Sequence, residues 1–208
     1  MYLMDFNPIV GEIEPFFNPP TDIFFMLFTR RNPRAGQRIN QNDANAIRNS
    51  NFNPAHPTRF LIHGFNSGQD SGLNIASTAT YLQRGEFNVF VVDWSVGAST
   101  LNYITARNRV PVVAGVVATF IDLLHQNAFI TFNRLNIAGH SLGAHIAGIV
   151  GKRVTRGRIQ VIYGLDPAGP LFSLNSPAER LATGDAVYVE CKNFIIHNFT
   201  ILFGYKIF

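Results

Sequence analysis

The segment LNIAGHSLGAHIAG contains a serine, Ser141, between Gly139 and Gly143. A short apolar run precedes this serine, and an Ala/Gly-rich helical pattern follows it. In a G-x-S-x-G motif at a sharp turn from strand to helix, the strained backbone pushes the serine hydroxyl outward and the glycines let the helix fold back over the strand. The N-terminus of such a helix also points N–H groups toward developing negative charge. The pattern predicts a nucleophile at Ser141; the alternative is a buried serine in a tight turn without chemistry.

A serine nucleophile needs a base, and the base needs a carboxylate that orients it. Asp166, in the segment YGLDPAGP, lies 25 residues after Ser141 and directly follows a predicted strand. Because parallel strands end at one edge of a sheet, we expect Asp166 at the same edge as Ser141. This placement favours Asp166 as the orienting acid; the alternative is an ordinary turn residue before a proline.

Two backbone N–H groups must hold the oxyanion of a tetrahedral intermediate. Leu142, the residue after the serine, is expected to supply one of them. In the segment LIHGFNSG, which follows an earlier predicted strand, Phe65 is the best second donor because Gly64 lets the chain turn toward the site. His63 is expected to be structural, with its imidazole hydrogen-bonded within the loop.

Strand and helix patterns alternate along most of the chain. We predict strands at residues 22–30, 58–64, 88–94, 134–138, 160–165 and 186–190, and helices at 43–48, 71–84, 108–127 and 142–154. In the helix at 108–127, Pro111 is tolerable only near the first turn. Strands that alternate with helices indicate parallel βαβ units and an α/β sheet with helices on both faces.

The composition describes a globular chain of single-domain size. Of its 208 residues, 47% are hydrophobic and 14% are charged, which excludes a disordered or fibrous protein. The net charge is +4, but the basic residues are scattered. We therefore expect no nucleic-acid partner, whereas a mild attraction to anionic membrane surfaces stays open. Cys191 is the single cysteine, so no intrachain disulfide can form, and we recognise no signal peptide and no transmembrane segment.

The combined motifs resemble the pancreatic lipase family of the α/β-hydrolase superfamily. NSNFNPAHPTRFLIHGF, VVDW, GHSLGAHIAG and YGLDPAGPLF occur in the family's order and spacing. The resemblance looks closest to the insect neutral-lipase and phospholipase-like branch, and it implies an α/β-hydrolase fold that is incomplete at its C-terminal end. By position it assigns Ser141 as the nucleophile, Asp166 as the triad acid, and the N–H groups of Phe65 and Leu142 as the oxyanion donors.

The same resemblance implies a secreted protein that hydrolyses lipid esters at a lipid–water interface through an acyl-enzyme. The substrate would be a triacylglycerol or a phospholipid. Some members of the family also hold a structural calcium ion near a segment similar to SPAERLATGDA, residues 176–186. Asp185 is present here, but Ala182 stands where some members have a second Asp. Calcium takes six or more oxygen ligands, so we expect no metal and no other cofactor.

The catalytic histidine of the family lies, by this resemblance, beyond the end of the chain. His197 is the only histidine after Asp166, and too little chain separates it from the preceding strand for it to fold into the site. Residues 192–208 are rich in amino acids with AT-rich codons and resemble nothing in the family. We predict an irregular lead-in at 1–21, a partial hydrolase domain at 22–191, and a non-family tail at 192–208 that is translated intron or an early end of the coding sequence.

Two functions follow from the resemblance. The first is a lipase-type carboxylic ester hydrolase, which in this chain would be inactive for lack of the triad histidine. The second is a non-catalytic lipase-like protein that binds lipid or a partner protein. Such proteins usually lose the serine, whereas this chain keeps both Ser141 and Asp166, which favours the hydrolase.

Overall fold

The computed structural model describes residues 16–197 and 200–205, with only the backbone for residues 194–205. Residues 1–15 lie outside the described residues. They include most of the predicted lead-in, and the prediction that there is no signal peptide also concerns them. The strands are β1 (Phe24–Phe28), β2 (Gln37–Ile39), β3 (Thr58–Ile62), β4 (Asn88–Asp93), β5 (Leu135–His140), β6 (Val161–Leu165), β7 (Tyr188–His197) and β8 (Thr200–Tyr205). The α-helices are α1 (Pro19–Asp22), α2 (Ala44–Arg48), α3 (Gly72–Arg84), α4 (Ser95–Ala98), α5 (Tyr103–Gln126) and α6 (Leu142–Arg153), and single 3₁₀ turns cover Phe132–Arg134, Pro177–Glu179 and Thr183–Asp185.

The strands form one mixed sheet in the order β2-β1-β4-β3-β5-β6-β7-β8. The five central strands, from β4 to β7 in this order, are parallel. At the two sides of the sheet, β1, β2 and β8 pair antiparallel. The parallel strands all end at one edge, called here the carboxyl edge. The chain adds β4 to one side of β3 and β5 to the other, so β3 and β5 form a topological switch point, where open α/β sheets bind ligands.

Helices cover both faces of this sheet, as predicted. On one face, Phe25, Phe60 and Ile137 are completely buried in a core shared with α5 and α6. On the other face, Leu82 of α3 packs with Leu61, which lies on β3. Burying a large apolar side chain stabilises a fold by about 1.5–3 kcal/mol. Because side chains alternate between the two faces of the sheet, this burial holds the helices against both faces. The predicted α/β-hydrolase fold, a mostly parallel sheet with helices on both faces, is confirmed.

Helix α5 departs from its prediction. It begins at Tyr103 rather than at residue 108, because the side chain of Asn102 accepts a hydrogen bond from the N–H of Ile104 at 2.9 Å and caps the helix there. Pro111 therefore lies inside the helix, which costs about 3 kcal/mol in an isolated helix. Ten residues of α5 are buried, and this packing outweighs the local cost. In the described part of the chain, α5 alone has the length and hydropathy of a membrane span, which its role as a core helix explains.

The ends of the sheet also differ from the prediction. The strand expected at 186–190 begins at Tyr188 and continues to His197, where it pairs with β8 in a hairpin. Neither β8 nor the three-residue β2 was predicted. Strand β2 is too short to carry a pattern, and the apolar run of β8 lies within the predicted non-family tail. Strand β7 thus crosses the predicted boundary at 191/192, and that boundary stays a prediction.

Candidate active site

Ser141 occupies the sharp turn between β5 and α6. Its backbone φ is 54°, in the region that residues other than glycine rarely adopt. The Ser141 N–H donates to the carbonyl of Leu165 at 3.0 Å, and the Ser141 carbonyl accepts from the N–H groups of Ala144 at 3.1 Å and Ala168 at 3.3 Å. These bonds hold the strained turn from both sides. The strand, turn and helix lie where the motif predicted them.

The two glycines of the motif allow the backbone segments around Ser141 to approach one another. A Cβ on Gly139 would lie 2.1 Å from the carbonyl oxygen of Gly143, so the helix does fold back over its own strand. A Cβ on Gly143 would lie 2.2 Å from the carbonyl oxygen of Ile62, at the end of β3. The second small residue of the motif is therefore required by the neighbouring strand, a partner that the motif alone does not reveal.

The loop after β3 passes directly beside the serine hydroxyl. A Cβ on Gly64 would lie 2.6 Å from the Cβ of Ser141 and 3.1 Å from its Oγ. Phe65 follows this glycine, and Leu142 is the first residue of α6. Of the two residues expected to donate to an oxyanion, Leu142 thus follows Ser141 in the chain and Phe65 follows the glycine beside it, at the switch point between β3 and β5.

A buried network fixes this loop. The indole N–H of Trp94 donates to the carbonyl of His63 at 2.9 Å, and the backbone N–H of Trp94 donates to His63 Nε2 at 3.2 Å. The other ring nitrogen, Nδ1, lies 3.1 Å from the carbonyl of Gly64. His63 is structural, as expected, and VVDW marks its partner in the sequence.

Asp93 closes the network from the end of β4. Its Oδ1 accepts from the N–H of Ser95 at 2.8 Å and lies 3.8 Å from His63 Nε2. Burial raises the pKa of Asp93, but the nearby His63 imidazole and the Ser95 donors outweigh burial and leave that pKa below its ordinary value. An ionised Asp93 therefore helps to hold the loop that carries Phe65.

Asp166 directly follows β6 at the carboxyl edge, as predicted. Its φ is 46°, and its N–H donates to the carbonyl of Lys192 at 2.7 Å. Its side chain is exposed. Burial lowers the pKa of His140, and the negative charge of Asp166 acts in the opposite direction. The His140–Leu165 register pair thus brings Ser141 and Asp166 to adjacent strand ends.

His145 was not identified from the sequence. It lies one helical turn after Ser141, and its Nε2 is 2.7 Å from the carbonyl of Ala168. The N–H of Leu181 donates to its Nδ1 at 3.1 Å, and its ring stacks on Phe172 at 3.7 Å. Burial is the main cause that lowers the pKa of His145 to about 4. This neutral imidazole links the loop that begins at Asp166 to α6. The sequence feature that could have identified it is a histidine within an apolar helical run.

The segment predicted to lack calcium does not fit a calcium ion. Asp185 is 4% exposed; one of its oxygens accepts from Lys152 Nζ and the other from the N–H of Ala182 at 2.7 Å. The carbonyl of Arg180 also accepts from Lys152 Nζ, at 2.9 Å. Burial raises the pKa of Asp185, and the Lys152 bond opposes that change. The oxygens that would face a cation therefore already hold donors. In the described residues, no three His, Cys, Asp or Glu side chains form a metal-binding group.

The backbone of His197 lies well beyond the level of Asp166. Lys192 pairs with Leu165, and His197 follows five residues later in the same strand, about 16 Å farther along it. We therefore assign no role to His197.

The carboxyl edge also carries a cavity and exposed apolar side chains. Residues 66–71, with Asp93 and Ser95, line a polar cavity of about 460 Å³ beside the loop of Phe65. Val96 and Leu101 follow β4, and Leu171 and Leu174 follow β6; all four are exposed, up to 71% for Leu101.

Comparisons with known proteins bear on this arrangement. The model of the family described as Lipase matches residues 14–206, which include most of the predicted non-family tail. Lipase member H of Xenopus tropicalis is 38% identical over 183 residues, which are 87% of this chain and 38% of that protein. Pancreatic triacylglycerol lipase of Mus musculus is 40% identical over 167 residues, 80% of this chain and 35% of that protein.

Inactive pancreatic lipase-related protein 1 of Mus musculus is similar to the same degree, at 38% identity over 80% of this chain and 34% of that protein. The chain thus spans less than two fifths of the length of each of these relatives. The family match covers nearly the whole chain and includes all four motifs around Ser141 and Asp166. On this evidence the chain belongs to the lipase family, in its pancreatic lipase group.

Proposed function

We propose that this protein is a serine hydrolase of lipid esters. The observation that carries the proposal is the strained turn at Ser141, φ 54°, at the switch point of the sheet with the backbone of Gly64 beside its hydroxyl. A turn of this kind exposes an oxygen next to preorganised N–H donors, which suits attack on a carbonyl carbon.

The proposed reaction proceeds through an acyl-enzyme. The Oγ of Ser141 attacks the ester carbonyl while a histidine oriented by Asp166 accepts the hydroxyl proton. The N–H groups of Phe65 and Leu142 stabilise the tetrahedral oxyanion. The protonated histidine then donates to the leaving alcohol, and water hydrolyses the acyl-enzyme by the same steps.

The proposal does not take the base from either of the two buried histidines near the site. Both ring nitrogens of His63 and of His145 face backbone partners. Asp166, by contrast, leaves its carboxylate exposed at the edge where a base would be oriented. The proposal therefore places the nucleophile, the acid and the oxyanion donors in this chain and assigns the base to none of its described side chains.

Lipid esters are the proposed substrates because of the surface around the site. Leu101, Leu171 and Leu174 expose 71%, 48% and 62% of their area on the two loops that begin at the carboxyl edge. Exposed apolar side chains on loops beside a site suit contact with a lipid surface. The names of all three relatives described above contain "lipase", and family resemblance also favours an extracellular location. Triacylglycerol and phospholipid stay equal candidates.

Fluorophosphonate labelling with and without added imidazole tests the proposal. We expect slow labelling of the 208-residue chain that free imidazole accelerates, because imidazole can replace a missing base. Labelling should vanish in Ser141→Ala and persist in Ser67→Ala, a matched change on a nearby loop. Asp166→Asn should slow the imidazole-assisted labelling, because the Asp166 carboxylate would orient the added imidazole.

Two other outcomes are informative. Rapid labelling without imidazole that is lost in His197→Ala would show that His197 reaches the site, against the backbone register. No labelling of the folded chain under any condition would contradict the hydrolase. It would favour the alternative, a non-catalytic lipase-like protein. One of the similar relatives is named as inactive.

A further inference from the structure

The loop between β6 and β7 lies against α6 with almost no space between their backbones. A Cβ on Gly148 would lie 2.5 Å from the Cα of Leu181, and a Cβ on Gly151 would lie 2.1 Å from the carbonyl oxygen of Asp185. This approach brings the carboxylate of Asp185 into the protein, where an unpaired charge would cost several kcal/mol.

Lys152, in the last turn of α6, forms a salt bridge with this carboxylate. Its ammonium donates to Asp185 Oδ1 and to the carbonyl of Arg180. The Lys152 side chain is 25% exposed and that of Asp185 is 3% exposed, so the pair is largely removed from water. The second oxygen of Asp185 is bonded to the N–H of Ala182, which turns the loop back on itself.

We propose that the ammonium of Lys152 is a built-in cation that takes the place of the calcium ion held near this segment by some relatives. A divalent ion matches two carboxylates, whereas the single positive charge of Lys152 matches Asp185 alone, with Ala182 at the second position. The loop is therefore held in place without a metal. This inference concerns stability and does not depend on the proposed hydrolysis.

Thermal unfolding of the full chain, in calcium chloride and in EDTA, tests the inference. The wild type should unfold at the same temperature in both. Lys152→Met, which keeps the length of the side chain and removes its charge, should lower the midpoint by about 5–10 °C in EDTA. Lys192→Met is the matched control, because Lys192 pairs with Glu190 at the surface, and it should change the midpoint little.

The double variant Lys152→Met with Ala182→Asp exchanges the ammonium for a second carboxylate. It should be destabilised in EDTA and regain about 5–10 °C in calcium, because a ligand that binds only the folded state stabilises it. Terbium luminescence should detect a bound cation in this variant and none at this site in the wild type.

Three results would overturn the inference. The first is a wild-type midpoint that rises with calcium and loses that rise in Asp185→Asn. The second is a Lys152→Met variant no less stable than Lys192→Met. The third is a folded double variant that is indifferent to calcium. If Lys152→Met does not fold, isothermal titration of the wild type with calcium decides: binding abolished by Asp185→Asn contradicts the inference, and no binding supports it.

Discussion

Gly143→Ala is the sharpest test of how the nucleophile turn is assembled. The added Cβ would lie 2.2 Å from the carbonyl oxygen of Ile62 and 2.6 Å from that of His63. Both contacts are with backbone, so no side-chain rotation relieves them, and the first turn of α6 must move away from β3 by about 1 Å. Overpacking of this kind costs about 1–3 kcal/mol. We expect a cost at the upper end of this range because the contacted backbone atoms are rigid.

The helix itself favours the substitution, because alanine is preferred to glycine in a helix by about 1 kcal/mol. The net destabilisation should therefore be about 2 kcal/mol, which corresponds to about 4–8 °C for a chain of this size. Gly115→Ala in α5 is the matched control. Its Cβ would meet only the flexible end of Arg153, at 3.1 Å, so this variant should be as stable as the wild type or up to about 1 kcal/mol more stable.

Urea unfolding followed by circular dichroism measures both changes. Movement of α6 would also displace the N–H of Leu142, so imidazole-assisted labelling should slow in Gly143→Ala and not in Gly115→Ala. A Gly143→Ala protein as stable as Gly115→Ala, with unchanged labelling, would refute the argument that the end of β3 requires this glycine.

Two further predictions concern the loop and the surface near the site. Burial holds the pKa of His145 near 4, below its unfolded value of about 6.5. The unfolded chain therefore binds a proton first, and stability should fall by about 2 kcal/mol from pH 7 to pH 5. This fall should shrink in His145→Gln but not in His125→Gln, and an unchanged pH profile in both would contradict it. Leu101→Ser and Leu174→Ser should each weaken vesicle binding about tenfold through lost apolar burial. Val187→Ser should not weaken it, although Val187, just before β7, is 57% exposed. Equal effects of all three changes would argue against a lipid-facing carboxyl edge.

The local part of the site could be predicted from the sequence. The spacing of Gly139, Ser141 and Gly143 describes a turn a few residues long, and such a turn depends mainly on the conformations its own residues allow. The alternation of strand and helix patterns likewise predicted the parallel sheet, because apolar periodicity follows directly from which faces are buried. The common edge of Ser141 and Asp166 followed from these two features.

The contacts between distant segments were decided only by the tertiary structure. Helix α5 runs through Pro111 because its buried face outweighs a local penalty, and β8 exists only as the partner of β7. His145 and Leu181 are 36 residues apart, and Lys152 and Asp185 are 33 residues apart. No local pattern marks such pairs, because their free energy comes from burial and from a partner that the fold brings near. The sequence alone therefore determined the nucleophile turn, while the folded chain determined what holds the surrounding loops against it.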